Sequence, residues 1–179
     1  MVKIAREYLG KGVCAIDLAG NEAMFPTILF KTVFESSRKL DMPFTIHSGE
    51  CGSVQNVIDA ISFGTKRVGH GIALRNNKKA QEYAIENKIG IEMCPISNFQ
   101  TKAISTISEY PIKEFLENNL LVTINTDNRM VSNTSLSKEF SFLQENFNIS
   151  DEDIYKLLTN SIEVSFASEE QKYEFTKML

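Results

Sequence analysis

The chain has 179 residues, of which 42% are hydrophobic and 23% charged, with a formal net charge of −4. That length holds one domain with a sizeable core, and the composition is that of an ordinary globular protein. The acidic balance argues against nucleic acid and anionic membrane as partners, because both need clustered Lys and Arg. No apolar run approaches the roughly 20 residues of a membrane span. Met1 to Glu7 reads as part of a helix and carries no long apolar segment of the signal type. Cys14, Cys51 and Cys94 show no pairing pattern, which points to a reducing compartment and a cytoplasmic location. All three are expected as buried thiols in strands or nearby turns.

In chain order, Gly12 to Leu18 is strand-like and ends in Ala19-Gly20-Asn21-Glu22. Pro26 to Leu40 has helical spacing, with Leu29, Phe30, Val33 and Phe34 on one face. Pro43 to Ile46 is the next strand and runs into His47-Ser48-Gly49-Glu50. Val54 to Phe63 is helical, with Val54, Val57, Ile58 and Ile61 in register. Arg67 to Gly71 is a very short strand, and Lys79 to Lys88 a helix with Ala80, Tyr83 and Ala84 inward. Gly90 to Cys94 is a strand stopped by Pro95. Pro111 to Asn119 is a helix, Leu121 to Asp127 the last clear strand, and Leu136 to Leu179 wholly helical, with Ser150 as an N-cap before three acids.

This alternation of strand and helix predicts a parallel α/β architecture. The strands are nearly all apolar before their last residues, as expected of strands buried on both faces. Five strands make an open sheet or part of a barrel, and the chain is too short for a closed (β/α)8 barrel of about 250 residues.

The strand ends carry the chemistry. In a parallel sheet the C-terminal ends share one edge, where such folds place their sites. His47 and Glu50 follow one strand, His70 lies between Gly69 and Gly71 after another, and Asn125-Thr126-Asp127 ends a third. Asp17 and Gly20 end the first. An imidazole there is a natural zinc ligand, and a carboxylate such as Asp127 can ligate a divalent metal or orient bound water. Gly49 lets the chain turn so that Glu50 re-enters the same pocket. His70 fits a general base or an electrostatic stabiliser. A lone histidine is more often a hydrogen-bonded structural residue, but the only two in this chain both fall at strand ends beside or near glycine. Cys94-Pro95-Ile96-Ser97-Asn98 has no second cysteine at zinc-site spacing and reads as a strand stop and tight turn at the pocket rim.

Taken in order, Ile16 to Glu22, His47 to Glu50, Arg67 to Gly71, Cys94 to Asn98 and Asn125 to Asp127 resemble the last five strand ends of the adenosine deaminases, in the metal-dependent amidohydrolase superfamily. Each motif is weak alone; the ordered set is specific and covers nearly the whole chain. The resemblance implies a partial (β/α)8 barrel, a single incomplete domain over residues 1–179 that holds the last five strands and lacks the first three. It implies a zinc cofactor and hydrolysis of the 6-amino group of adenosine to give inosine and ammonia. His47 and Asp127 match zinc ligands. Glu50 matches the proton donor to purine N1, and partial burial would favour its protonated form. His70 matches the histidine that supports the attacking hydroxide, and Gly20 the backbone N–H that contacts purine N3. The family commonly has a second aspartate after the metal-binding one, contacting purine N7; here that position is Asn128.

The family's first strand carries a His-x-His pair that supplies two further zinc ligands, and no His-x-His occurs in this sequence. The expectation is therefore weak zinc binding and little or no activity for this polypeptide alone, since a catalytic zinc normally takes three or more protein ligands. A barrel lacking three strands is also expected to expose two unpaired edges and a bare apolar interior, favouring self-association or docking to a separate N-terminal piece. Adenine and AMP deaminases share much of this pattern. A non-catalytic remnant acting as a scaffold or partner is the alternative outside the enzyme class, and the intact Glu50, His70 and Asp127 argue against it.

Overall fold

The computed structural model describes residues 1–51 and 53–179. Five strands form one parallel sheet in sequence order: β1 (Ile16–Leu18), β2 (Phe44–Ser48), β3 (Arg67–His70), β4 (Gly90–Met93) and β5 (Leu121–Ile124). Every neighbouring pair is parallel and every connection passes through helix, as the alternation predicts. After α1 (Val2–Glu7), the crossovers are α2 (Lys31–Lys39), α3 (Val54–Ser62), α4 (Lys78–Glu86), and then α5 (Pro95–Gln100) with α6 (Ile112–Glu117). Beyond β5 come α7 (Arg129–Ser132), α8 (Leu136–Phe147), α9 (Asp151–Glu163) and α10 (Glu169–Thr176). No helix among the described residues is long and apolar enough to cross a membrane.

Local chemistry sets these elements. α3 starts where the Ser53 side chain accepts the Asn56 N–H, and it buries Val57, Ala60 and Ile61 at helical spacing. α9 starts in a capping box: Ser150 accepts from the Asp153 N–H, and the Asp153 carboxylate accepts from the Ser150 N–H. α9 packs on β5, and the Asn160 side chain donates to the Val122 carbonyl, so part of that sheet edge is covered.

The two faces of the sheet differ. Phe44, Ile46, Val68, Ile91, Met93, Val122 and Ile124 form a buried layer on the helix side. The alternate positions Asp17, Thr45, Arg67, Glu92 and Thr123 lie on the other face. There the Thr45 hydroxyl donates to Glu92 (3.1 Å), and the Arg67 guanidinium pairs with the same carboxylate. The expected strands apolar on both faces, with a bare apolar interior, are thus not what is found. The inner face carries polar groups, with Thr45, Arg67 and Glu92 joined in one network, and it follows the strand alternation of Phe44-Thr45-Ile46-His47.

Other local expectations are also corrected. Only Ile16–Leu18 of the first predicted strand joins the sheet, with Val13 in an isolated bridge to Leu9, and Cys14 and Cys51 are exposed while Cys94 is buried. The predicted helix from Pro26 begins as a 3-10 turn over Thr27–Phe30 and becomes α-helical at Lys31. Phe34 is buried, but Leu29 and Val33 are 63% and 40% exposed, alongside exposed Met24, Phe25 and Ile28.

Asp153 gives a stability prediction. Burial opposes its ionisation, but hydrogen bonds from the Ser150 N–H and hydroxyl and from Lys113 hold its carboxyl below the usual range. A depressed folded-state pKa contributes stability above the unfolded value of about 3.9, and that contribution is lost as pH falls through the folded value. Asp153→Ala is expected to cost about 1 kcal/mol at neutral pH. The difference from wild type should shrink toward zero in acid, as read from urea denaturation across pH.

Candidate functional site

The parallel register brings the C-terminal strand ends to one edge. Ser48 of β2 lies opposite His70 of β3, and Met93 of β4 opposite Ile124 of β5. Along this edge one ligand atom each of His47, His70 and Asp127 lie within 4.8 Å of one another. The imidazoles of His47 and His70 have centroids 5.1 Å apart, in edge contact. The three residues that the strand-end pattern singled out therefore converge.

Two of them depart from strand geometry to do so. Val68 faces the helices, so simple alternation would send His70 the same way. Instead His70 has φ +64°, and Asp127 has φ +51°. Left-handed backbone at non-glycine residues is uncommon and mildly strained. Partners from α5 hold both. The Ser97 hydroxyl donates to Asp127 Oδ2 (2.7 Å), and Asn98 Nδ2 lies 2.9 Å from His70 Nδ1. The stretch read as a tight turn is thus a helix. Pro95 sits in its first turn, where the missing N–H costs nothing, and the buried Glu139 carboxylate accepts the Ile96 N–H. Burial raises the Glu139 pKa, against the hydrogen bonds from Ile96 and Thr134.

His47 extends from β2 on the inner face, with Nδ1 3.1 Å from Asp17 Oδ1. Hydrogen bonding to the Asp17 carboxylate raises the His47 pKa, against burial, which lowers it. His70 is buried, and burial lowers its pKa despite the nearby Glu50 charge. Burial also pushes the Cys94 thiol well up, which leaves it a protonated packing residue.

Glu50 is half-buried, with Oε2 3.6 Å from His70 Nε2 and Oε1 accepting from the Thr101 hydroxyl (3.1 Å). A second carboxylate holds its loop. Glu22 accepts the Gly49 N–H at 2.8 Å and the Cys51 N–H at 2.9 Å, one on each side of Glu50. Burial raises the Glu22 pKa, against those same bonds. Gly49 has φ +78°, and a Cβ there would lie 2.7 Å from the Val57 side chain, so only glycine allows this turn. Glu22, Ser97, Asn98 and Thr101 carried no distinct signal in the sequence. Glu22 and Asn98 merely close two of the recognised strand-end motifs, and their roles depend on long-range packing.

Gly20 lines a cleft beside His47 together with Leu18, Glu22 and Phe25. Asn128 is exposed and caps α7, its Oδ1 accepting from the Met130 and Val131 N–H groups. The structure thus places Gly20 beside the cluster, while Asn128 follows Asp127 with its carbonyl already engaged.

The adenosine deaminase family model matches residues 1–179. The chain belongs to the adenosine deaminase family. This is a family of hydrolases. An adenosine deaminase of Enterococcus faecalis is 42% identical over 172 residues, covering 96% of this chain and 51% of the relative. Among solved structures, the Arabidopsis N6-mAMP deaminase superposes with a TM-score of 0.88 at 26% identity, covering 99% of this chain and 52% of the other. The adenine deaminase of Arthrobacter aurescens gives 0.88 at 22% identity, over 98% and 56%, a likeness of fold. The chain spans about half the length of the curated relatives it matches. Against these adenosine deaminase relatives, the five-stranded sheet has the form of a partial β/α barrel.

The Glu22 clamp is testable without any ligand. Hydrogen bonds to a charged acceptor contribute about 1.5–3 kcal/mol each before desolvation. Glu22→Ala is expected to lower unfolding free energy by roughly 2 kcal/mol, and Glu22→Gln by less, because the amide oxygen still accepts one N–H. Urea melts showing Glu22→Ala as stable as wild type would rule the clamp out.

Proposed function

We propose that this chain provides the proton-transfer half of a zinc-dependent adenosine deaminase site, in a single barrel domain that other polypeptide completes. The observation that carries this reading is the convergence of His47, His70 and Asp127, with Glu50 against His70.

The donor set suits zinc, which takes imidazole nitrogen and carboxylate oxygen. His47 has the arrangement usual for a metal-ligating histidine, its second ring nitrogen held by the Asp17 carboxylate, and Asp127 is held in turn by Ser97. In this reading His47 and Asp127 hold the ion, and His70 stays outside its coordination. When bound, zinc acts as a Lewis acid that lowers the pKa of water toward 7.

The chain's own groups supply the rest. His70 Nε2 faces the site and orients the attacking oxygen. Glu50 gives a proton to purine N1, so that C6 becomes electrophilic as the water oxygen adds. Of the two water protons one restores Glu50 and the other passes to the 6-amino group, which leaves as ammonia as the C6–N bond breaks and the 6-oxo purine forms. The Gly20 backbone N–H contacts purine N3. Purine N7 is a hydrogen-bond acceptor, and with Asn128 Oδ1 committed to its helix cap, the Asn128 NH2 group is the part left to donate. AMP and adenine are the competing substrates. The likeness to the Arabidopsis N6-mAMP deaminase favours keeping a nucleotide in view. A cytoplasmic location fits the unpaired thiols.

Two ligands fall short of a catalytic zinc site. Zinc titration of the chain alone is expected to show affinity weaker than micromolar, with no deamination. Adding an N-terminal adenosine deaminase segment that contains a His-x-His pair, with zinc, is expected to convert adenosine to inosine by ultraviolet absorbance. Glu50→Gln in that mixture should lose about 10²-fold or more. An associated mixture inactive on adenosine, AMP and adenine alike would refute the reading.

The exposed Met24, Phe25, Ile28, Leu29 and Val33 and the open side of β1 support association. Gel filtration is expected to show a species larger than one chain, and a monomer at micromolar concentration would count against it.

A further inference from the structure

His47 and His70 lie side by side but are backed by opposite chemistry. Behind His47 is a carboxylate, Asp17, 3.1 Å from Nδ1. Behind His70 is an amide, Asn98, with Nδ2 2.9 Å from Nδ1. Asn98 is in turn anchored by Tyr110, whose hydroxyl donates to Asn98 Oδ1 over 3.4 Å. Asn98, His70 and Tyr110 are 0%, 2% and 4% exposed, so water does not compete for these bonds.

The direction of the chain follows from the amide. The Asn98 NH2 group, which only donates, meets His70 Nδ1, while Asn98 Oδ1 accepts from the Tyr110 hydroxyl. A neutral imidazole has one N–H, so an accepting Nδ1 puts the proton on Nε2, which lies 3.6 Å from Glu50 Oε2. Turning the amide over would set Oδ1 against Nδ1 and demand the proton there. At His47 the logic reverses: the Asp17 carboxylate accepts an Nδ1–H, which frees the Nε2 lone pair.

We propose that Asn98, anchored by Tyr110, is a positioning residue that fixes His70 as an Nε2–H donor and so keeps it out of metal coordination, while Asp17 fixes His47 as the opposite tautomer. A ring nitrogen that carries a proton has no lone pair to give a cation. The cluster of three potential ligands is thereby divided into one imidazole for the ion and one for the attacking oxygen. This division rests on the deaminase reading for what the donor acts upon, but the tautomers themselves do not.

The test is nitrogen-15 imidazole NMR on the full metal-free chain, with pH raised until both rings are neutral, because Asp17 lifts the His47 value above the ordinary histidine value of about 6.5. Only two histidines contribute, and His47→Gln assigns them. Wild type is expected to show His70 protonated on Nε2 and His47 on Nδ1. Asn98→Asp should move the His70 proton to Nδ1, Asn98→Ala should give a mixture, and the near-isosteric Tyr110→Phe should shift the population partway. A mixed or Nδ1-protonated His70 in wild type overturns the proposal, whatever the variants do. So does an unchanged Nε2–H form in both folded Asn98 variants. In the completed enzyme, Asn98→Asp should lower kcat at least tenfold with KM little changed. Absence of deamination by the wild-type assembly would refute the function and leave the tautomer result standing.

Discussion

Parallel pairing in a fixed register is the constraint on which this site depends. His47, His70 and Asp127 meet because β2, β3, β4 and β5 end at a common edge, with Ser48 opposite His70 and Met93 opposite Ile124. The register is in turn held by the layer beneath the helices. Ile46, Val68, Ile91 and Val122 are each fully buried, and a slip by one residue would exchange them for Thr45 or His47, Arg67 or Gly69, Glu92, and Thr123. The apolar side of the sheet thus fixes where the polar chemistry of the other side and its edge must fall.

Alternation alone would still leave the cluster unassembled. His70 and Asp127 both turn into left-handed backbone, at an order of 1–3 kcal/mol each. One six-residue helix offsets both departures, since adjacent residues of α5 reach the two sites: Ser97 bonds Asp127 and Asn98 bonds His70. The buried Glu139 holds the start of that helix from α8. Residues far apart in sequence are therefore needed before two strand ends can present their side chains together, which makes the site a property of the packed domain.

This explains what the sequence disclosed and what it concealed. Strand order, parallel sense and the placing of His47, His70 and Asp127 at one edge were legible, because hydrophobic runs and their polar endings are local signals. The helix at Pro95 was not. Proline both stops a strand and opens a helix, and the contacts that hold this helix, to Glu139, Asp127 and His70, come from distant segments. Glu22 showed only as the last residue of a strand-end motif, because its partners, the Gly49 and Cys51 N–H groups, lie on another crossover. Leu29 and Val33 had the spacing of a buried face, yet within this chain the described residues leave both exposed. The polar inner face was misjudged for a related reason: Thr45, Arg67 and Glu92 are unremarkable singly and become a network only when the strands are side by side.

Away from the strand ends, Glu92 pairs with Arg67 and Asp153 with Lys113, whereas the buried Glu22 and Glu139 are held by N–H and hydroxyl donors. At the strand ends the ion pairs among the described residues are carboxylate with imidazole, Asp17 with His47 and Glu50 with His70. An imidazole carries a full charge only when protonated, and the burial of His70 works against that state. Asp127 has a hydroxyl, Ser97, in place of a cation. The edge therefore gathers three carboxylates, Asp17, Glu50 and Asp127, with no Lys or Arg paired to them among the described residues. These carboxylates border the place where one ligand atom each of His47, His70 and Asp127 comes within 4.8 Å of the others, so acids and imidazoles meet where a metal ion could be held.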